Sequence, residues 1–416
     1  MALPAERGRK GSDPADAAPG KEGFMIKAVL RAAINGGASL LPLRRRVLLE
    51  SSPDLSCNVF PVFQELLRRP ALQGVSLTWL VREPALWRAA YPQTQVSFVE
   101  YRPEIPWQRA RAIRLALSSK CVLFCNKTLW PPRRGQLSLF LGHGTPIKCC
   151  RGFYTPGPFC NRWSYPSEQV KAVMERELGL APEQGRLLGY PRCDALTRPQ
   201  GLLDRVVPRE GKKVIFWLPT FRQHTRSYGS NYALSGCGLP LLEEAGALET
   251  LNEALERAGL LLILKPHPMQ DLSVIRAGSL SAFRLIGDED LRQAGVQLYE
   301  ALADADALLT DYSSVYCDFL LTGKPIGLTL DDLAAYQEKR GLVMEDITQV
   351  LKGRYLYTLS DLVDFAGDIA AGRDPERAAR QQACDYYNHW QDGGSAGRVA
   401  DPSGFRVQRC GGYAAV

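Results

Sequence analysis

Along the chain, short unbroken apolar runs alternate with longer stretches whose apolar residues recur at helical spacing. The first series of runs is Val47-Leu48-Leu49-Glu50, then residues 75–81, 96–99, 121–125 and 137–141, with Leu187-Leu188 following. Residues 58–67, 107–117 and 171–178 between them carry the helical period. A run that is apolar at every position is a strand covered on both faces, and strands alternating with helices build a parallel α/β sheet. A second series opens at Val214, with runs at 214–218, 260–264, 283–286, 307–309 and 324–328. Its helical stretches are 241–258, 298–303, 359–371 and 376–387, and Pro240 stands where a first helical turn tolerates proline. Two such series predict two α/β domains, joined by the polar residues 198–213. The expected limits are a disordered leader at 1–24, a basic amphipathic segment at 25–46, domains at 47–205 and 206–398, and a loose tail at 399–416.

The polar motifs fall at the ends of the apolar runs, which is where open α/β sheets bind ligands. Gly142-His143-Gly144-Thr145-Pro146 follows one run, Lys265-Pro266-His267-Pro268 another, and Pro219-Thr220-Phe221-Arg222 a third. Two of the four histidines, His143 and His267, thus hold matching places in the two halves. Histidine titrates near neutrality, so such a residue can take and return a proton. Gly142 and Gly144 are expected to leave room for a substrate beside the backbone. Lys148, Arg192, Arg222 and Lys265 lie near the same turns, and their cations suit phosphate oxygens. In Asp311-Tyr312-Ser313-Ser314, a strand gives way to a helix start, whose free N–H groups and hydroxyls suit phosphate or serve as an ordinary cap. Asp304-Ala305-Asp306 precedes a strand rather than following one, and reads as a solvated turn rather than a metal pair. The sequence has neither a Gly-x-x-x-x-Gly-Lys-Ser/Thr loop nor a Gly-x-Gly-x-x-Gly fingerprint, which removes the commonest ATPase and dehydrogenase readings. No cofactor or metal is called for.

Composition narrows the picture. The chain has 416 residues and a formal charge of +7, a modest excess that suits an anionic ligand or an anionic membrane surface. No basic cluster interleaved with aromatics points to nucleic acid. Eleven cysteines at scattered spacing, with no Cys-x-x-Cys pair, read as free thiols of a reducing cytosol. No run is long enough to span a bilayer, and residues 1–22 lack the apolar core of a signal peptide. Residues 25–46 carry Lys27, Arg31, Arg44, Arg45 and Arg46 and no acid. They read either as a helix lying on anionic lipid or as a first helix packed on its domain, and the one-sided charge favours the lipid surface.

In order, the motifs His143-Gly144-Thr145-Pro146-Ile147-Lys148, Gly189-Tyr190-Pro191-Arg192-Cys193-Asp194, Pro219-Thr220-Phe221-Arg222 and Lys265-Pro266-His267-Pro268 resemble the CDP-glycerol glycerophosphotransferase family of teichoic acid and capsule synthesis. The resemblance continues through Asp311-Tyr312-Ser313-Ser314 with Asp318, Gly323-Lys324-Pro325, and Tyr336 to Arg340-Gly341, covering about residues 45–400. It implies a GT-B fold: two Rossmann-like domains with the site in the cleft, the first for the acceptor and the second for the donor. It implies CDP-glycerol as donor, with CDP-ribitol the alternative, and a glycan or lipid-linked acceptor; residues 25–46 separately suggest a cytoplasmic protein peripheral on the inner face of the membrane. On that resemblance His143 is the general base, and Ser313, Ser314 and the helix start hold donor phosphates. His267 and Lys265 face the leaving CMP. Arg192, Pro219 and Thr220 line the cleft with Gly142, Gly144, Thr145, Pro146 and Arg222, and Asp318 meets a donor hydroxyl. One departure stands out: the family commonly has an aromatic residue where this chain has Gly142. Two other classes share parts of this pattern, namely a GT-B glycosyltransferase using a nucleotide sugar and a non-catalytic descendant.

Overall fold

The computed structural model describes residues 41–401 except 70–73, 94, 127–129, 152–153, 221–238, 267–279 and 345, together with the backbone of 407–409 and 412–414. The expected leader, residues 25–40 of the basic segment, the loop at 223–238, Arg222 and His267 lie outside the described residues.

Seven strands form the first sheet: β1 (Arg44–Glu50), β2 (Ser76–Val81), β3 (Val96–Glu100), β4 (Ser119–Phe124), β5 (Leu137–Phe140), β6 (Arg162–Tyr165) and β7 (Gly185–Leu187). Their order is β3-β2-β1-β4-β5-β6-β7, and every pairing is parallel. Six more form the second sheet: β8 (Lys213–Trp217), β9 (Leu260–Leu264), β10 (Phe283–Leu285), β11 (Ala307–Thr310), β12 (Ile326–Thr329) and β13 (Arg354–Leu356). They run β10-β9-β8-β11-β12-β13, again all parallel. Both sheets therefore reverse their winding beside the first strand of the series, between β1 and β4 and between β8 and β11. A crevice opens there at the carboxyl ends of the strands. The runs that carried no polar residue are the ones that bury completely: Leu260 to Leu264 are all at most 2% exposed. Such strands are possible only because helices cover both faces.

Four expectations need correction. Arg44, Arg45 and Arg46 belong to β1 rather than to an amphipathic helix, and Arg46 donates to Ser118 Oγ. The helix expected from Leu241 begins only at Ala247, because Leu241 (φ 65°) and Gly246 (φ 82°) take left-handed conformations that interrupt a helix. Asp304-Ala305-Asp306 is not a solvated turn. Asp304 is 8% exposed and accepts the N–H groups of Gln200, Gly201 and Leu203, and Asp306 accepts that of Val214. Finally, the stretch expected as a loose tail starts inside a helix, Ser395–Ala400.

That last helix returns to the first sheet, where Val399 and Ala400 join Val59, Phe63, Trp79 and Leu123 in one apolar core. Both its ends are held by side chains of that half. Asp194 accepts the N–H groups of Ser395 and Ala396, and Arg69 donates to the carbonyls of Gly397 and Ala400. These are the groups a helix leaves unpaired, and a carboxylate at the start and a cation at the end also match its dipole. Among the described residues no helix is long and apolar enough to cross a membrane.

Candidate active site

The rim on the first sheet is built from the loop after β1, the turn after β5 and the turn after β7. Asn58, fully buried, binds all three together. Its Nδ2 donates to the carbonyls of Leu141 and Gly142 at 3.0 Å each, and its Oδ1 accepts the Arg192 N–H at 3.0 Å. The turn after β5 needs glycine at 142 (φ 75°), where an added Cβ would come within 2.8 Å of the Tyr190 ring. In this chain a ring from residue 190 thus fills the space beside position 142. His143 projects from the turn, exposed, with Nδ1 3.2 Å from Cys57 Sγ.

Arg192 crosses to the second half. It is 8% exposed, and its Nη2 donates to Asp318 Oδ2 at 2.6 Å. Tyr299 donates its hydroxyl to the same oxygen at 2.5 Å, and its ring lies 4.8 Å from the guanidinium carbon. Asp318 is 1% exposed. Burial works against the charge on Arg192, but the Asp318 carboxylate and, behind it, Tyr299, Cys57 and Cys193 together more than offset it and hold the guanidinium well above its ordinary value. Burial also raises the Tyr299 phenol well above its usual range, so it remains a donor. Asp318, expected at a donor hydroxyl, is buried in this structure with Oδ2 committed to Arg192 and Tyr299. Breaking such a buried pair from one side typically costs about 3–5 kcal/mol.

At Gly144 (φ 117°) the two halves pack directly against each other. A Cβ there would overlap Ser314 Oγ and lie 2.8 Å from Arg192 Nη2. In this structure the room this glycine makes is taken by Ser314 and Arg192. Thr145 and Pro146 line an apolar recess with Val170, Leu342, Val350 and Tyr387. Beside it the backbones of Lys148 and Leu342 form a bridge, and Cys149 N–H donates to the Gly341 carbonyl at 3.1 Å. The motif ending at Gly341 thereby meets the one beginning at His143.

On the second sheet, Pro219 and Thr220 follow β8. Thr220 gives both its N–H (2.9 Å) and its hydroxyl (2.5 Å) to the buried Asp311 carboxylate. Tyr312 stacks on Tyr336 at 4.3 Å between ring centres. Ser313 and Ser314, both half-buried, precede a helix of five residues, Val315–Phe319, and Ser314 makes no side-chain cap bond. The first N–H groups of this short helix are taken within the turn, Val315 by Ser313 Oγ at 3.5 Å and Tyr316 and Cys317 by the carbonyls of Ser313 and Ser314 at 3.1 Å each, so what the turn presents is the two hydroxyls. Lys265 follows β9, is 6% exposed, and pairs with Asp288 at 2.8 Å.

The structure thus brings His143, Gly144, Arg192, Ser314 and Asp318 together, with Ser313 next to Ser314 in the chain. Cys57, Asn58 and Tyr299 belong to the same cluster and went unrecognised in the sequence. Cys57 and Asn58 follow β1 at the reversal point, so the position rule for open α/β sheets would have pointed to them. Tyr299 lies in an ordinary apolar helix pattern, and only the fold reveals its partner.

Comparison with known proteins bears on the fold and the family. A wall teichoic acid polymerase TagF variant superposes with a TM-score of 0.67 at 17% identity, covering 90% of this chain and 95% of that one. A UDP-GlcNAc 2-epimerase from Neisseria meningitidis gives 0.50 at 13% identity, over 85% and 97%. At these identities the likeness is one of fold, two parallel sheets in the GT-B arrangement. By sequence, the chain is 27% identical over 199 residues to the teichoic acid glycerol-phosphate primase of Bacillus subtilis, 48% of this chain and 46% of that protein. It is 26% identical over 253 residues to the teichoic acid glycerol-phosphate transferase of Staphylococcus aureus, 57% and 59%. The matched regions thus span about half the length of these relatives. The profile of CDP-glycerol:poly(glycerophosphate) glycerophosphotransferases matches residues 39–402, nearly the whole described chain, and the protein belongs to that family.

Proposed function

We propose that this protein transfers glycerol phosphate from CDP-glycerol to a hydroxyl of a glycan or polyol-phosphate acceptor, in teichoic acid-like or capsule polymer synthesis. The observation that carries the reading is His143, exposed on one rim, one residue from the point where Gly144 meets Ser314 of the other rim. An exposed imidazole there can take the acceptor proton while the opposite helix start receives donor phosphate. The acceptor oxygen attacks the phosphorus that carries glycerol, the bond to CMP breaks, and CMP leaves with the electron pair. Such displacement needs positioning and charge neutralisation more than covalent help. Ser313, Ser314, Pro219 and Thr220 face the donor, and Lys265, Arg222 and His267 supply the leaving side. Arg192, held by Asp318, ties the two rims together at the cleft floor.

The test is CMP release from CDP-glycerol, with CDP-ribitol and UDP- and GDP-sugars as comparators and a glycan or lipid-linked polyol phosphate as acceptor. CMP from CDP-glycerol is expected. Turnover confined to CDP-ribitol moves the assignment to ribitol phosphate, and turnover confined to a nucleotide sugar replaces it with glycosyl transfer. His143→Ala and His267→Ala should each lower the rate by about 10²–10⁴. A double variant with full activity overturns the roles given to both.

We also infer attachment to the inner face of the membrane. With Arg44–Arg46 in β1, the basic part available for lipid is residues 25–40, with Lys27 and Arg31 and no acid. Deleting them should weaken sedimentation with anionic liposomes, and unchanged sedimentation removes the inference.

A further inference from the structure

We propose that Cys57 orients His143 and balances its charge, a thiolate doing for this base what a carboxylate does in other base–orienter pairs. The proposal rests on His143 being the base that the preceding section assigns.

Three contacts converge on one sulfur. His143 Nδ1 lies 3.2 Å from Cys57 Sγ, and Arg192 Nη1 lies 3.6 Å from it. The Cys125 thiol, at the end of β4, hydrogen-bonds to it as well. Imidazole, guanidinium and a second thiol can all donate, and a sulfur surrounded by donors is best matched as an anion. The charge arrangement agrees. Arg192 sends Nη2 to Asp318 of the second half and Nη1 to Cys57 of the first, so one guanidinium lies between two acidic groups.

The position is held, not incidental. Cys57 has φ 56°, a left-handed conformation that residues with a Cβ avoid, and Leu55 in the same loop has φ 46°. Leu55 is buried at 1% exposure, Ser56 N–H donates to Ser51 Oγ, and Asn58 anchors the next residue to the His143 turn. Backbone strain of this kind persists where surrounding contacts over-determine it.

The proton inventory follows. With Cys57 as thiolate, Nδ1–H donates to sulfur and Nε2 carries the lone pair that accepts the acceptor's proton. The imidazolium so formed is balanced by the adjacent anion. With Cys57 as thiol, S–H donates to Nδ1, Nε2 already bears hydrogen, and the ring cannot act as base. The charged and titratable groups facing Cys57 are His143, Arg192 and Cys125. Glu50 acts on Cys125 from behind, and Asp318 and Tyr299 lie beyond Arg192. The hydrogen bond from Cys125, then the charges of His143 and Arg192, hold the Cys57 thiol well below the ordinary thiol range, against the effect of burial. Cys125 is pushed the other way, chiefly by burial.

Two measurements on the full chain test this. The first is alkylation of Cys57 by iodoacetamide against pH, read by peptide mass spectrometry. Reaction should be half-maximal at least about one pH unit below an ordinary thiol near 8.5, and His143→Gln should move the midpoint upward. An ordinary midpoint that His143→Gln leaves in place overturns the pair, whether or not the donor assignment holds. The second is steady-state kinetics with CDP-glycerol. Cys57→Ala should lower kcat by about 10–100-fold while the donor KM stays within a few-fold, and Cys57→Asp should restore most of kcat. Wild-type kcat in Cys57→Ala overturns the proposal, and so does a folded Cys57→Asp no better than Cys57→Ala. Should the chain release no CMP from any CDP-polyol, the function falls while the alkylation midpoint still decides the pair.

Discussion

Two buried aspartates stand at opposite ends of β11 and do different work. Asp304, before the strand, receives three backbone N–H groups, from Gln200 and Gly201 on Oδ1 and from Leu203 on Oδ2. Asp318, in the helix after the strand, receives only side chains, Arg192 and Tyr299, both on Oδ2. Backbone donors fix the path of a chain whatever its side chains are. Side-chain donors tie the site to particular residues. The first aspartate shapes the connection between the sheets, and the second links the two rims of the cleft.

Substitutions can break this contrast at graded cost. The largest effect belongs to Asp318→Ala, which takes from the buried Arg192 its carboxylate partner. Urea denaturation should show a loss of about 3–5 kcal/mol. A loss below 1 kcal/mol would mean that the pair opens to water. Next comes Asp304→Ala, which leaves backbone N–H groups unpaired and should cost about 1–3 kcal/mol. Its activity per folded molecule should stay within a few-fold of wild type. A large fall in kcat without loss of stability would erase the distinction between the two aspartates. Tyr299→Phe removes one hydrogen bond to a charged acceptor and should cost about 1.5 kcal/mol, with Arg192 still paired. The smallest effect comes from an exposed aspartate. Asp392, hydrogen-bonded by Arg398, has its carboxyl lowered from an ordinary 3.8 to about 2. Its contribution is present in full above the ordinary value and is lost as pH falls through about 2. Because solvent screens the pair, Asp392→Asn should change stability by no more than about 1 kcal/mol at neutral pH, and by nothing below pH 2.

The same contrast explains what the sequence could disclose. The strands were legible because residues such as Leu260–Leu264 are apolar throughout, and only a fully covered strand tolerates that. His143 was legible because it follows such a run and is flanked by glycines. The partners of these residues were not. Asp304 and Asp318 are identical in type, and both lie near an apolar run. Which of them meets amides and which meets a guanidinium depends on chain segments about a hundred residues away in sequence. Gly144 illustrates the same limit. Its permissiveness was evident, but that the space would receive Ser314 and Arg192 depended on how the two halves meet. The left-handed Leu241 stopped a helix that periodicity had extended to it, because periodicity does not record φ.

The returning helix at Ser395–Ala400 has a mechanical meaning. The chain passes between the two halves twice, once through the connection held by Asp304 and once through the segment from Asn388 to Ser395. A body joined by one tether can swivel freely, whereas a body joined by two turns about the line through both. Any relative movement of the halves is thereby restricted more than a single tether would restrict it.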